Sequence, residues 1–315
     1  MSINSRKVAI IGTGLVGSTC AYAIANQGVC DEVLMIDANI KRAEGEAWDI
    51  GQSIPFLDQR TKIYPASLSD CRDVDIIVFS AGGPPKVGET RLDSLGHSVK
   101  IADSVIDGVL KGGFNGIFLV VSNPVDVVSY YFFKKSGFPV HRVIGSGTSL
   151  DTSRLKYFLS EICGNVDPHS INGFTIGEHG DSQAIVWSTV TVGGVPYLQL
   201  REQNPEKYAT LSLEEIRLKV VKAGWDIIER KNTTYYGVAS AAANIIKAIM
   251  NDEKRISAAS TFLNGEYGEK NIFSSVPVIL GKEGIEKVIE LNLTSEELEN
   301  FKKSNSILRK YIETL

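Results

Sequence analysis

The chain has 315 residues, of which 43% are apolar and 22% charged. This composition is typical of a globular protein and argues against disorder. A net charge of −4 and a pI near 5.7, with Lys and Arg spread along the chain, argue against nucleic-acid binding. No apolar run approaches the roughly 20 residues that a transmembrane helix needs, and the few residues before the first predicted strand leave no room for a signal peptide. We therefore expect a cytoplasmic protein with no membrane contact.

In the first half of the chain, short runs rich in Val, Ile and Phe alternate with longer helical patterns. The predicted strands are residues 7–11, 32–37, 75–80, 116–122 and 142–145. Their continuous apolar character indicates strands that are buried on both faces. Residues 15–27 predict a helix that ends at Gly28, a residue suited to the left-handed position after a helix. This alternation predicts an α/β fold with a doubly wound parallel (Rossmann) sheet.

The second half has a different pattern. Helical spacing at residues 151–163, 213–231 and 238–251 alternates with extended stretches at 171–197 and 256–280, and a capping-box pattern at 294–297 opens a last amphipathic helix. A chain of this length exceeds what a single core usually supports. We therefore predict a dinucleotide-binding Rossmann domain at residues 1–145 and a mixed α+β catalytic and substrate domain at residues 146–315.

The four cysteines are spread along the sequence without a C-x-x-C pair and without His partners at metal-ligand spacing. We expect them to be reduced structural residues, and we predict no metal site. They are Cys20, Cys30, Cys71 and Cys163.

A glycine-rich motif, G-x-G-x-x-G, lies directly after the first predicted strand and opens the first predicted helix. Gly12 permits a tight turn, Gly14 allows a pyrophosphate to approach the backbone, and Gly17 allows close packing of helix on strand. Within a βαβ unit this motif predicts a dinucleotide site. The expected cofactor-binding residues of this turn are Gly12, Thr13, Gly14, Leu15, Val16 and Gly17.

Asp37 ends the second predicted strand, twenty residues after Gly17. A carboxylate at this position can accept hydrogen bonds from the hydroxyls of the adenosine ribose. Its charge would repel a 2′-phosphate, and no Lys or Arg follows before Lys41. The sequence therefore predicts NAD as the cofactor in preference to NADP.

A candidate reaction centre combines His179, in the run Gly-Glu-His-Gly-Asp at residues 177–181, with Asp151 and Arg154. Imidazole exchanges a proton near neutral pH, and a carboxylate beside it would stabilise the protonated ring. Asp151 and Arg154 are three residues apart and share one face of the predicted helix. The guanidinium of Arg154 has the fork geometry for bidentate binding of a substrate carboxylate.

Two further residues follow predicted strands. Arg91 comes after a glycine- and proline-rich segment at residues 81–85. Such a segment can close as a lid that delivers Arg91 to polarise a carbonyl group. Asn123 follows the fourth predicted strand, at the carboxyl edge where doubly wound sheets bind ligands. Its amide is a candidate to bind the nicotinamide ribose or the substrate, although an Asn before Pro is also typical of a plain turn.

Together and in this order, these motifs resemble the L-lactate and malate dehydrogenases, most closely the bacterial L-lactate dehydrogenases. The resemblance covers essentially the whole chain and implies an NAD-dependent L-2-hydroxy acid dehydrogenase that forms a homotetramer. It implies that His179 donates and accepts the proton, Asp151 orients it, Arg154 binds the substrate carboxylate and Arg91 stabilises the developing alkoxide. Thr234 corresponds to a position beside the substrate pocket, where Thr is similar to the lactate-type enzymes.

Pro85 departs from the family pattern at the main substrate-selecting position, where lactate enzymes have Gln and malate enzymes have Arg. Without a cation there, a second substrate carboxylate would be buried unpaired at a cost of several kcal/mol. We therefore expect a lactate dehydrogenase and disfavour malate dehydrogenase. Since Pro85 also lacks the side-chain amide, a pocket for larger apolar 2-oxo acids, similar to that of L-2-hydroxyisocaproate dehydrogenases, stays open as an alternative.

Lys156 and Asn172 replace the Arg and His of relatives that fructose 1,6-bisphosphate activates. Lys is a poorer bidentate phosphate ligand than Arg, and Asn is uncharged, so we expect activation to be weak or absent. A different class of function, a dinucleotide-binding sensor without catalysis, also fits the fold alone. The complete set of reaction-centre residues argues against it.

Overall fold

The computed structural model of the protein describes residues 5–83 and 91–315, and for residues 91–94 only the backbone. The strands in these ranges are β1 Lys7–Ile11, β2 Glu32–Ile36, β3 Lys62–Pro65, β4 Ile76–Phe79, β5 Ile117–Val120, β6 Val143–Gly145, β7 Ile171–Asn172, β8 Thr175–Ile176, β9 Ala184–Ile185, β10 Thr191–Val192, β11 Val195–Pro196, β12 Arg255–Asn264, β13 Lys270–Gly281 and β14 Gly284–Val288. The helices are α1 Leu15–Asn26, α2 Ile40–Ser53, α3 Arg91–Lys111, α4 Val125–Ser136, α5 Ser149–Ile162, α6 Tyr197–Gln203, α7 Pro205–Tyr208, α8 Leu213–Lys231, α9 Tyr236–Met250 and α10 Ser295–Ile312.

One large sheet organises the fold. Its order is β14-β13-β12-β6-β5-β4-β1-β2-β3, and all neighbours from β6 to β3 are parallel. Strands β4 and β5 are buried throughout, as expected for a sheet covered by helices on both faces. The structure thus confirms the predicted doubly wound sheet, whose strand order reverses direction between β1 and β4, where such sheets bind ligands.

The sheet continues into the second half of the chain. Strand β12 pairs antiparallel with β6 at Ser260 and Gly145, and β13 and β14 extend it by two more antiparallel strands. One hydrophobic core includes residues of both halves, and a smaller core, around Leu155, Tyr197 and Val220, lies within the second half. The sheet therefore crosses the predicted division at residue 145, and that division stays a prediction.

Local signals in the sequence agree with the elements that form. Gly28 has a φ of +61°, in the left-handed region, just after α1. At the start of α10, the Thr294 hydroxyl accepts from the backbone N–H of Glu297 at 3.2 Å, and the Glu297 carboxylate accepts from the backbone N–H of Thr294 at 2.9 Å. Each bond satisfies a group that would otherwise lack a partner at the helix end. All four cysteines are free and buried. In the part of the chain that the structure describes, no helix is long and apolar enough to cross a bilayer.

Candidate active site

The glycine-rich turn between β1 and α1 has two crowded glycines and one open one. Gly12 has a φ of +94°, and a Cβ on it would lie 2.5 Å from the Cα of Ala81. A Cβ on Gly17 would lie 1.9 Å from the carbonyl oxygen of Gly12. By contrast, a Cβ on Gly14 would meet nothing within 4 Å. Gly12 and Gly17 thus permit the close packing of the turn, and the space at Gly14 allows a ligand to approach the backbone.

Helix α1 presents its N-terminus to this space. Gly14 precedes the helix, and among the described residues no side chain caps it and no acidic residue lies in its first turn. The first N–H groups of a helix lack intrahelical partners and carry partial positive charge. Leu15 is exposed, Val16 is half-buried, and neither carries charge. This arrangement fits a pyrophosphate group, as the sequence predicts.

Asp37 is held in place by the same turn. The buried Thr13 donates to Asp37 Oδ2 from its backbone N–H at 2.8 Å and from its hydroxyl at 3.2 Å. The backbone N–H of Asn39 donates to Asp37 Oδ1 at 2.9 Å. The carboxylate is therefore fixed beside the glycine turn, with acceptor capacity left for ribose hydroxyls. The sequence motif identified Thr13 as part of the turn but not as the residue that orients Asp37.

His179, Asp151 and Arg154 form a connected group. His179 Nδ1 lies 2.5 Å from Asp151 Oδ2, and Arg154 Nη1 donates to Asp151 Oδ1 at 2.9 Å. The side chain of Asp151 is only 1% exposed, whereas those of His179 and Arg154 retain 22% and 13% exposure. The buried carboxylate therefore orients two groups that still reach solvent. Because Nδ1 faces the carboxylate, Nε2 is the ring nitrogen available to exchange a proton with a ligand.

The electrostatics of this group favour a charged ring. Burial by itself would lower the pKa of His179, but the adjacent Asp151 carboxylate and its hydrogen bond outweigh it and raise that pKa above the usual value. Burial likewise tends to raise the pKa of Asp151, but the charges and hydrogen bonds of His179 and Arg154 lower it. The arrangement therefore favours a protonated imidazole beside an ionised carboxylate.

The loop that carries His179 is anchored at three successive residues. Gly177 pairs with the backbone of Ser275 in both directions, at 2.9 and 3.1 Å. The backbone N–H of Glu178 donates to the Ser304 hydroxyl of α10 at 2.8 Å. The backbone N–H of His179 donates to Asp126 Oδ2 at 2.8 Å. Three separate elements thus fix the position of the ring.

Asp126 is an ionisable member of this arrangement to which the sequence analysis assigned no role. It is 2% exposed and lies in the first turn of α4, between Val125 and Val127, which are also buried. Carboxylates are rarely buried unless they are paired or hydrogen-bonded. The signal in the sequence was therefore an acidic residue in an apolar run directly after Asn123 and Pro124.

Asn123 and Thr234, which the sequence analysis also predicted for the site, lie in two separate connections of the chain. Asn123 is exposed, and its carbonyl oxygen accepts from the Ser98 hydroxyl at 3.0 Å. Thr234 is half-buried in the connection between α8 and α9. A Cβ on Gly237, the second residue of α9, would lie 2.8 Å from Leu150 Cδ1, so the start of α9 packs against the start of α5, which carries Asp151 and Arg154.

Most of the predicted lid falls outside the residues that the structure describes. Arg91 is the first residue of α3, and its side chain falls outside the described part. Pro85 also lies outside the described residues. The expectations for both therefore stay predictions.

Comparison with known proteins agrees with this geometry. Residues 6–145 match the family model described as lactate/malate dehydrogenase, NAD binding domain, and residues 148–315 match lactate/malate dehydrogenase, alpha/beta C-terminal domain. The L-lactate dehydrogenase 3 of Bacillus anthracis is 53% identical over 315 residues, which are 100% of this chain and 99% of that protein. The L-lactate dehydrogenase 2 of the same organism is 42% identical over 303 residues, 96% of each chain. The crystal structure of the minor L-lactate dehydrogenase from Enterococcus mundtii in the ligands-bound form has a TM-score of 0.95 at 39% identity and covers 99% of both chains. The resemblance seen in the sequence is thus confirmed, and this chain belongs to the lactate/malate dehydrogenase family.

Proposed function

We propose that this protein is an NAD-dependent L-lactate dehydrogenase that interconverts pyruvate and L-lactate. The observation that carries the proposal is the His179 ring held 2.5 Å from a buried Asp151 whose other oxygen binds Arg154. Full-length relatives named L-lactate dehydrogenase, at 53% identity, support the same reaction. The bound cofactor would supply the hydride as NADH in the reducing direction and accept it as NAD+ in the oxidising direction.

The residues of the chain then have the following roles in the reducing direction. Arg154 binds the carboxylate of the 2-oxo acid through its planar guanidinium. Protonated His179 gives its Nε2 proton to the carbonyl oxygen, and Asp151 stabilises the ring while it is charged. Arg91 polarises the carbonyl from the lid. The oxidising direction reverses these steps, with neutral His179 accepting the hydroxyl proton.

Further parts of the proposal rest on the family resemblance. Asn123 binds the nicotinamide ribose or the substrate, and Thr234 and Pro85 border the pocket for the substrate side chain. The division into an NAD-binding domain at residues 1–145 and a catalytic domain at 146–315, the homotetramer and the cytoplasmic location belong to the same proposal. The homotetramer would have closed symmetry, as most soluble oligomers have.

The proposal is tested by NADH oxidation with pyruvate, 2-oxoisocaproate and oxaloacetate, compared as kcat/KM because those ratios report discrimination in the transition state. We expect pyruvate to be preferred. Preference for 2-oxoisocaproate would identify a pocket for larger apolar side chains and favour the L-2-hydroxyisocaproate alternative. Equal efficiency on oxaloacetate and pyruvate would contradict both, and inactivity on all three would favour a dinucleotide-binding sensor.

Cofactor choice gives a separate prediction at Asp37. The substitution Asp37→Asn removes the charge that repels a 2′-phosphate and weakens the charged hydrogen bonds to the ribose. A hydrogen bond to a charged group contributes about 1.5–3 kcal/mol, so we expect the Kd for NADH to rise about tenfold and the preference for NADH over NADPH to shrink. Fluorescence titration with each nucleotide measures both effects.

Asp31→Asn is the matched control for this substitution. Asp31 is exposed at the opposite end of β2, where it forms an ion pair with Arg6 at 3.6 Å. Its replacement is expected to leave both nucleotide affinities unchanged. If the wild-type protein used NADPH as efficiently as NADH, the prediction that Asp37 selects NAD over NADP would be wrong.

The prediction on activation also has a direct test. Lys156 is half-buried, and burial lowers its pKa, while Asn172 is exposed on β7. We expect fructose 1,6-bisphosphate to change the KM for pyruvate by less than about twofold, since this pair offers neither a bidentate fork nor a second cation. A large fall in KM on its addition would refute this.

A further inference from the structure

The anchors of the His179 loop differ in charge. At Glu178 the loop donates its N–H to a neutral hydroxyl, that of Ser304, at 2.8 Å. One residue later, the N–H of His179 donates to a carboxylate, that of Asp126, also at 2.8 Å. A hydroxyl thus suffices to hold this backbone, so the acceptor role alone does not account for a charged group at position 126.

A buried carboxylate is costly to maintain. Asp126 is 2% exposed, and beyond the His179 N–H it accepts from the Ser275 hydroxyl at 3.3 Å. Desolvation of a carboxylate costs several kcal/mol, so a neutral side chain of the same shape is often as stable. The negative charge of Asp126 is therefore expected to stabilise the positive charge that the His179 ring carries during the reaction.

The pKa values of Asp126 and His179 agree with this electrostatic role. Burial raises the pKa of Asp126 to about 6, against the opposing effect of its hydrogen bonds and of His179. The pKa of His179 lies above its usual value, and Asp126 is one of the charges that raise it. Each group therefore favours the charged form of the other.

We propose that Asp126 is a positioning residue of the reaction, which fixes the backbone of His179 from α4 and whose negative charge favours the protonated ring. This inference rests on the proposed function, because it assigns Asp126 to the same proton transfer. Asp126 reaches the loop from the first half of the chain, whereas Asp151 lies in the second half. Two carboxylates, one from each half of the chain, thus act on one histidine.

Three other charged residues among those described act on His179 or on Asp126. Asp151 contacts Nδ1 and favours the protonated ring, and Arg154 on the same helix opposes it. Glu178 precedes His179 in the loop and raises the pKa of Asp126. All three remain in place when position 126 is changed, so a shift caused by that change reports on Asp126.

The test uses Asp126→Asn, whose amide oxygen still accepts the His179 N–H but carries no charge. The midpoint of the kcat/KM profile for pyruvate reduction is expected to fall by about half a pH unit or more, with kcat on the acidic plateau kept within about threefold. Asp126→Ala removes the acceptor too, and should lower kcat at every pH. Ser304→Ala is the matched control, because it removes a neutral anchor of the same loop and should not move the midpoint.

A second readout does not depend on turnover. The ring resonances of His179, identified by their absence from the His179→Gln protein, report its titration directly by NMR. The midpoint should be lower in Asp126→Asn than in the wild type, and it should fall further in Asp151→Asn. If the wild type reduces no 2-oxo acid, the proposed function fails, while this titration still decides the effect of Asp126.

An unchanged His179 midpoint in Asp126→Asn would overturn the inference, and so would wild-type kinetics in Asp126→Ala. If Asp126→Asn does not fold, Ser275→Ala replaces it. That change removes the hydroxyl donor to Asp126 Oδ1, which weakens the ionised form of the carboxylate. It should move the His179 midpoint in the same direction by a smaller amount, and an unchanged midpoint would again contradict the proposal.

Discussion

Replacement of His179 by Asn is expected to lower kcat for pyruvate reduction by about a thousandfold, within the 10²–10⁴ range for loss of a general acid or base. The amide cannot transfer a proton near neutral pH, so the proposed alkoxide would form without a proton donor. The Kd for NADH should change less than about threefold, because the nucleotide is expected to bind at the Gly14 turn and Asp37. Steady-state assays and fluorescence titration measure the two quantities separately.

His169→Asn is the matched control for this prediction. His169 also has a carboxylate partner, with Nδ1 2.7 Å from Asp167 Oδ1, but its side chain is 94% exposed. The pair has the same chemistry without the buried surroundings. Its replacement should leave kcat unchanged, whereas an equal loss in both variants would mean that the effect is not specific to the site.

The direction of the reaction sets the sign of the pH dependence. Reduction requires the protonated ring, and Asp151 raises the pKa of His179 above its usual value. The kcat/KM for pyruvate should therefore stay constant at pH values below the pKa of His179. Above it, kcat/KM should fall about tenfold per pH unit, because kcat/KM reports the protonation of the free enzyme. Lactate oxidation requires the neutral ring and should rise over the same range. A profile with the same sign in both directions would exclude His179 as the proton donor and acceptor.

The parallel part of the fold was predictable because its signals are local. Strands β4 and β5 are short, apolar and buried throughout, and the glycines of the first turn lie where a helix must begin. Strand β3 was missed because it lies at the sheet edge, with an exposed Lys62 and a terminal Pro65. An edge strand needs no apolar run, so its pairing with β2 leaves little trace in the sequence.

The continuation of the sheet from β6 into β12 depends on long-range pairing. The alternating pattern at residues 256–280 indicated strands but not their neighbour, since the contact joins Gly145 to Ser260. Strands β12 and β13 pair as an antiparallel hairpin, in which β12 ends at Asn264 and β13 begins at Lys270. Hydrophobic periodicity predicts which face of a strand is buried but not which strand lies beside it.

In the candidate site, too, local sequence patterns predicted some contacts but not the long-range ones. The spacing of Asp151 and Arg154 predicted a shared helix face, and the structure brings both to His179 through one carboxylate. For Asp126 the local signal, an acidic residue in an apolar run, indicated burial but not its partner, which is a backbone N–H of a loop far along the chain. Side chains that bind a distant main chain are therefore found from the fold and not from a motif.

The substitution Arg154→Leu is expected to lower kcat/KM for pyruvate by about a thousandfold or more, because it removes the bidentate cation for the substrate carboxylate. Charged hydrogen bonds contribute about 1.5–3 kcal/mol each, and two are lost. Arg154→Lys keeps the charge without the planar fork, so we expect an intermediate loss, mostly in KM. Space beside the guanidinium is limited, since a Cβ on Gly224 would lie 3.2 Å from Arg154 Nη2.

Arg230→Lys is the control for Arg154→Lys, because Arg230 is exposed on α8 and its Nη1 donates to the carbonyl oxygen of Asp226 at 2.6 Å. It should leave kcat/KM unchanged.

Arg154 also binds Asp151 at 2.9 Å, so its removal leaves that carboxylate to His179 alone and should raise the midpoint of the His179 ring in the same NMR titration. A variant with that higher midpoint but normal KM for pyruvate would show that Arg154 acts on Asp151 and does not bind the substrate. A raised KM together with the shift would mean that it does both.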